Sequence, residues 1–131
     1  MDKFKLVSDY KLSGDQPEAV AKLAHGGRSN AETLQIEPTV LNNVTADDAV
    51  MQEEIFGPIM PIITYDSIDE AEAFILAREK PLALYLFTRD KGTEARFLRW
   101  VPFGGGCIND TIVHLASNDL AFGGVGQSGM G

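Results

Sequence analysis

Glu53-Glu54-Ile55-Phe56-Gly57-Pro58, preceded by Met51-Gln52, sets two carboxylates, a bulky ring, a glycine and a proline side by side. Neither a helix nor a strand requires that order of residues. An ionised carboxylate is acceptor-only and can take two hydroxyl donors at once. A ring beside it adds a flat apolar wall, so the string suits a surface where charge and ring meet a ligand. The bland alternative is a solvated acidic turn leading into the strand-like run Ile59 to Tyr65. Cys107, the only cysteine, could in principle supply a thiolate nucleophile. A free cysteine in a strand-like run also serves as a small buried hydrophobe. His114 could act as a general base, but nothing in the sequence pairs with it, and it is read as a satisfied structural group. Gly124-Val125-Gly126-Gln127-Ser128-Gly129 satisfies the dinucleotide fingerprint G-x-G-x-x-G letter for letter. That fingerprint needs a strand before it and a helix amino terminus after it to receive a pyrophosphate. With Gly131 only two residues on, a glycine-rich loop is expected instead.

The elements that must position these groups alternate. Asp15-Gln16-Pro17-Glu18 reads as a helix start, with an acidic cap, a proline in the first turn and a Glu three residues on. Ala19, Val20, Leu23 and Ala24 carry that helix to His25, and Gly26-Gly27 end it. Leu34 to Val44 is strand-like but interrupted by Pro38, which predicts an edge or bent segment rather than a central strand. Ile59 to Tyr65 is a second strand. Ser67-Ile68-Asp69-Glu70 forms a capping box, and Ile68, Ala71, Phe74, Ile75 and Ala77 recur at helical spacing until Lys80-Pro81. Leu82 to Thr88 is almost wholly apolar, as strands buried on both faces are. A helix from about Thr93 to Trp100 follows, with Phe97 and Trp100/Val101 on one side. Pro102 and Gly104-Gly105-Gly106 stop it before a last short run, Cys107 to Leu115. This alternation predicts an α/β fold, a mostly parallel sheet with crossover helices. Too few helices are predicted to cover both faces, so the layer is incomplete and leaves an apolar face for further polypeptide or a partner.

With 131 residues, one modest domain is expected. A net charge of −8, from 19 acidic and 11 basic residues, argues against nucleic acid and anionic membranes as partners. Arg89, Lys91, Arg96 and Arg99 are interleaved with acids and apolar residues and form no basic patch. No apolar stretch approaches membrane-spanning length. A single cysteine suits a reducing compartment, and Met1 to Lys5 lacks the apolar core of a secretory signal, so a cytoplasmic protein is expected.

Several segments occur in a telling order: Pro38-Thr39-Val40-Leu41, Met51 to Pro58, Lys80-Pro81-Leu82-Ala83-Leu84-Tyr85, Asn109-Asp110-Thr111-Ile112-Val113-His114, and Phe122 to Gly131. Together they resemble the catalytic domain of the aldehyde dehydrogenase superfamily, over roughly residues 30 to 131. Residues 1 to 30 match poorly. Val125, where many members carry lysine, and Ile112-Val113-His114 point to the branch that oxidises fatty and aromatic aldehydes. The resemblance implies that Glu54 accepts hydrogen bonds from the nicotinamide ribose and that Phe56 packs by the nicotinamide end. Gly57 is read as permitting a close or unusual backbone and Pro58 as stiffening the exit. Glu53 is read as solvated. Ile112, Leu115 and Phe122 match positions that line the aldehyde funnel, with plain core packing as their alternative. Asn109 and Asp110 are expected to order a turn through side-chain to backbone bonds, without a catalytic role.

The family's reaction implies a cysteine thiolate attacking the aldehyde, a thiohemiacetal that yields hydride to NAD or NADP, and thioester hydrolysis assisted by a glutamate. In relatives a small apolar residue stands where Cys107 is, and the nucleophile lies upstream of the matched segments. No catalytic residue and no metal ligand are therefore assigned, and the 131-residue chain is expected to be a single, partial catalytic domain, inactive alone. The aldehyde is the implied substrate, and self-association or association with the missing part of the enzyme is expected. The competing reading is a non-catalytic truncated relative acting as an interaction or oligomerisation module. An independent nucleotide-binding domain lacks the helix its glycine loop would need.

Overall fold

A computed structural model describes residues 21–130. The chain divides into two compact units, Met1–Thr64 and Tyr65–Gly131. The predicted helix start at Asp15 to Glu18 lies outside the described residues. Where that helix was expected to continue, the chain is a strand instead: β1 (Leu23–His25) pairs antiparallel with β4 (Thr39–Leu41), Leu23 opposite Leu41 and His25 opposite Val40. Helical spacing of apolar residues is overridden by cross-strand pairing with a β-branched partner. Gly26 and Gly27 end β1 rather than a helix, and both have positive φ (76° and 86°). A side chain at Gly26 would stand 1.9 Å from the Pro38 carbonyl oxygen.

β2 (Ser29–Asn30) and β3 (Gln35–Ile36) make a small antiparallel ribbon that the sequence pattern did not announce. It is tied by Arg28 Nε to Glu37 Oε2 at 2.9 Å. The bend at Pro38 is real, yet Thr39–Leu41 after it is the middle strand of the order β1-β4-β5, not an edge. Proline costs a ladder bond only where its missing N–H would fall inside a strand, and Pro38 sits just before one. β5 (Ile59–Pro61) runs parallel to β4, and its Pro61 is accommodated on an outer strand. Leu41 and Val44 are the buried apolar residues of this unit.

The second unit begins with α1 (Ile68–Leu76). Ser67 caps it by accepting from the Glu70 amide at 3.2 Å, and Glu70 reaches back to the Asp66 amide at 2.9 Å. At its other end Arg78 donates to the Phe74 carbonyl at 2.9 Å and lies 3.5 Å over the Phe74 ring. β6 (Ala83–Leu86), α2 (Lys91–Trp100) and β7 (Gly105–Ile108) form a parallel strand–helix–strand crossover, with Tyr85 opposite Cys107. The helix starts two residues before Thr93 because Asp90 accepts from the Thr93 amide at 2.7 Å. Phe97 is its buried residue, 2% exposed, and Val101, just past its end, is 3% exposed. Trp100 is instead 63% exposed, with the Arg99 guanidinium 5.0 Å from its ring. Arg96 on α2 forms ion pairs with Asp69 and the buried Glu72 of α1, which joins the two helices.

Side chains alternate across the β6–β7 ladder. Leu84, Leu86 and Ile108 meet Phe97 of α2 around an apolar groove. Tyr85 and Cys107 take the other face, where His114 packs. Both faces of the ladder are therefore partly covered, yet every residue of β6 and β7 remains half-buried. Among the described residues only four apolar side chains are buried, whereas Ile36, Met60, Phe87 and Leu120 are each more than half exposed. Exposed apolar side chains occur in both units.

Phe97→Ala is expected to cost about 3 kcal/mol of stability, as for an aromatic removed from a packed core. Leu98→Ala, at a 54% exposed position, should cost less than about 1 kcal/mol. Urea denaturation of the two variants decides this. A second expectation concerns acid. Hydrogen bonds from the Thr93 side chain and then its backbone hold the Asp90 carboxyl below its usual range. Its contribution is therefore present above the unfolded value of about 3.9 and is lost as pH falls through the lower folded value. Circular dichroism of an acid titration should show that component missing in Asp90→Asn.

Candidate functional site

The Glu53–Pro58 string is a loop held at both ends. Upstream, Ala49–Met51 forms a 3-10 turn whose amino end is Asp48. Asp48 accepts from the Thr45 amide at 2.6 Å and forms an ion pair with Lys22, and Gln52 Nε2 donates to the Ala46 carbonyl at 2.9 Å. Downstream, the Pro58 carbonyl accepts from the Thr39 amide at 2.7 Å, immediately before β5 joins β4. Between these anchors Glu53 and Glu54 are exposed and Phe56 is 93% exposed. Ile55 is half-buried and turns the other way. An aromatic ring with almost its whole surface in water contributes nothing to a core, and an exposed carboxylate is free to accept hydroxyl donors. Gly57 corrects its expected role. Its φ is not positive and an added Cβ would meet nothing within 4 Å, so the backbone itself does not require glycine.

The second unit carries the other residues singled out. Asp110 orders a turn, as expected, whereas Asn109 ties the end of β7 to the chain just after β6. Asn109, at φ 58°, accepts from the Thr88 amide and donates to the Thr88 carbonyl, both at 2.9 Å. Asp110 accepts from the Thr111 amide at 2.7 Å. The turn leads into a short 3-10 segment, Val113–Ala116, entered through Ile112 at φ 61°. Ile112 is 63% exposed, Leu115 46% and Phe122 63%. The Leu115 amide donates to the Ile112 carbonyl at 2.8 Å, which binds the first two together.

His114 overturns one expectation, since it does have a partner. The residue is 8% exposed, its ring lies 5.7 Å from the Tyr85 ring, and Nδ1 is 3.7 Å from Cys107 Sγ. The pairing was not legible because five residues of turn bring His114 back over the strand. The available signal was Gly105, two residues before Cys107 and on the same face. A Cβ there would stand 2.6 Å from His114 Cδ2 and 3.6 Å from the Phe122 carbonyl oxygen. Cys107 is half-buried within this packing, in keeping with its reading as a small apolar residue.

The glycine-rich segment is a close-packed loop. Val125 leads into a three-residue 3-10 turn, Gly126–Ser128, and no α-helix follows among the described residues. Its glycines serve close packing. A Cβ at Gly104 would stand 2.4 Å from the Gly124 amide nitrogen, so the loop lies directly on the entry to β7.

The sequence profile of the aldehyde dehydrogenase family matches residues 6–131. The chain belongs to the aldehyde dehydrogenase family. The match reaches well upstream of residue 30, where the resemblance had been expected to fade, and it fits the order of segments from Thr39 to Gly129. The chain is 53% identical over 122 residues to 4,4'-diaponeurosporen-aldehyde dehydrogenase of Staphylococcus aureus, covering 93% of this chain and 27% of that protein. It is 46% identical over 110 residues to the dimeric NADP-preferring aldehyde dehydrogenase of Bos taurus, covering 84% of this chain and 46% of that one. A structure of the substrate-bound state of Staphylococcus aureus AldH superposes with a TM-score of 0.85 at 56% identity, over 88% of this chain and 25% of that one. The chain thus spans less than half the length of each of these relatives.

Two substitutions test this geometry in the aldehyde dehydrogenase segment itself. Gly57→Ala should leave the melting temperature unchanged, with less than about 0.5 kcal/mol lost. Asn109→Ala gives up two hydrogen bonds and a residue suited to positive φ, and should destabilise by about 1–3 kcal/mol. Thermal denaturation checks both, and a large loss from Gly57→Ala would mean that the loop is held differently.

Proposed function

We propose that this chain supplies the nicotinamide-ribose wall and part of the aldehyde-binding surface of an NAD(P)+-dependent aldehyde dehydrogenase. The enzyme oxidises fatty or aromatic aldehydes to carboxylic acids. The attacking cysteine and the general-base glutamate belong to polypeptide outside these 131 residues, and the chain is one partial catalytic domain. The observation that carries the reading is the pairing, on one doubly anchored loop, of the exposed carboxylate Glu54 with the 93% exposed ring of Phe56. Family membership supplies the chemistry that such a pair would serve.

The donor set fits the cofactor. An exposed carboxylate matches two ribose hydroxyls, and a ring two residues away matches the flat nicotinamide. When bound, the dinucleotide supplies a hydride acceptor. Glu54 holds the ribose by accepting its hydroxyl protons in hydrogen bonds, Phe56 restricts where the ring can lie, and the anchored ends of the loop keep both from drifting. Ile112, Leu115 and Phe122 give an aldehyde an apolar surface and favour long or aromatic chains over small polar ones. The names of the two relatives, with a 4,4'-diaponeurosporen-aldehyde in one and an NADP preference in the other, agree with this assignment. The apolar side chains left exposed in both units favour association, with a second copy or with the rest of the enzyme. No helix among the described residues is long and apolar enough to cross a membrane, and the unpaired Cys107 fits a reducing compartment such as the cytoplasm.

In a full-length aldehyde dehydrogenase carrying these residues, Glu54→Gln should weaken use of the dinucleotide by about 10-fold or more, the worth of a charged hydrogen bond. Phe56→Ala should lower kcat, by about 100-fold if the ring is misplaced by an ångström. Steady-state kinetics with NAD+ and NADP+ read both effects. Unchanged constants in Glu54→Gln would remove the ribose assignment. The 131-residue chain alone should oxidise no aldehyde; turnover that vanished in Cys107→Ala would place the nucleophile here instead.

A further inference from the structure

We propose that His114 is the positioning residue that sets the shape of the aldehyde-binding surface, acting through the turn that carries Ile112 and Leu115. This rests on the reading of those two residues as aldehyde-lining. The turn has little else to hold it. Of Val113–Ala116, only His114 is buried, while Val113 and Leu115 are 53% and 46% exposed. The turn is also entered at a cost, because Ile112 is β-branched and sits at φ 61°, a region such side chains avoid. A strained entry persists only where its surroundings over-determine it.

His114 provides that determination from three sides. Its ring packs into the space left by the missing side chain of Gly105, where a Cβ would stand 2.6 Å from Cδ2. The Tyr85 ring lies 5.7 Å away at 54°, and Cys107 Sγ stands 3.7 Å from Nδ1. The sulfur and the Tyr85 ring fix the rotation of the imidazole, and the glycine fixes its depth. In a 3-10 turn successive residues point about 120° apart. With His114 directed inward, Leu115 is carried outward, and Ile112 is fixed by the bond between its carbonyl and the Leu115 amide at 2.8 Å. Phe122 is tied to the same place, its carbonyl oxygen beside Gly105. One buried imidazole thus governs two exposed apolar side chains, Ile112 and Leu115, without touching an aldehyde.

The test compares a long-chain aldehyde with a two-carbon aldehyde in a full-length aldehyde dehydrogenase carrying these residues. His114→Ala should cut the preference for the long aldehyde about 10-fold, chiefly through KM, with the KM for the dinucleotide unmoved. His114→Gln, which keeps a polar group of similar reach, should recover most of it. Ile112→Ala is the control. If it shifts the preference and folded His114→Ala does not, the positioning role is overturned while the aldehyde-lining reading stands. If Ile112→Ala, Leu115→Ala and Phe122→Ala all leave the preference unchanged, that reading fails and the inference fails with it. Should His114→Ala not fold, Cys107→Ala decides. Loss of the sulfur frees the ring to rotate and should shift the preference about threefold, and no shift would overturn the inference.

Discussion

A parallel pair of strands joined by a helix is apolar on both faces and stable only when both are covered. That requirement organises the second unit. Phe97 from α2 closes one face of β6–β7, and its 2% exposure makes it the best-buried apolar residue described. The opposite face receives His114, a polar ring where a leucine would suffice for burial alone. The substitution of glycine for a side chain at position 105 makes the difference, because only a strand thinned to its backbone lets an imidazole come within 2.6 Å of where a Cβ would stand. Gly104, one residue earlier, admits the Gly123–Gly124 backbone in the same manner. The glycine run before Cys107 is therefore a docking strip for the carboxy-terminal loop, and the surface residues Ile112, Leu115 and Phe122 take their places from it.

The first unit solves a different problem, that of presenting a charge and a ring without burying either. The 17 residues between β4 and β5 contain no α-helix, so the loop must be stiffened by local bonds. Asp48 receives the Thr45 amide and Lys22, Gln52 ties back to Ala46, and Pro58 enters the β4–β5 ladder through its carbonyl. The exposed part is thereby reduced to the few residues that carry Glu54 and Phe56. Stiffness of this kind lowers the ordering cost when a ligand arrives, which is where preorganised loops gain affinity.

Local signals were the most legible part of the sequence. Ser67 and Glu70 marked the start of α1 to the residue, because a cap is decided by neighbours three positions apart. Strands were found within the regions Leu34 to Val44, Ile59 to Tyr65 and Leu82 to Thr88, though shorter than expected, and the alternating order gave the α/β class. What could not be read was decided by distant partners. Leu23–His25 has helical spacing but lies against Val40 and Leu41, and no window of a dozen residues contains that pairing. Trp100 and Val101 compete for one inward position at the end of α2, and the turn into Pro102 gives it to Val101. His114 and Cys107 are seven residues apart with a tight turn between them, so neither period 2 nor period 3.6 places them together. In the candidate site, Glu54 and Phe56 were visible through their types and order, whereas the buried imidazole behind Ile112 and Leu115 was not.

The balance of buried and exposed apolar surface joins these observations. Four buried apolar side chains among the described residues bury too little to offset the ordering of a chain this long, at about 1–2 kcal/mol of backbone entropy per residue. Yet some of the incompletely buried apolar residues are grouped. In the second unit Leu84, Leu86 and Ile108 line one groove beside α2, and Ile112 and Leu115 stand on one turn. Surfaces of the first kind have no polar group to orient a small ligand and suit packing against more polypeptide. Surfaces of the second kind are set by a buried hydrogen-bonding ring and a backbone held at positive φ, features that packing alone does not demand. The distinction rests on what stands behind each side chain rather than on how apolar it is.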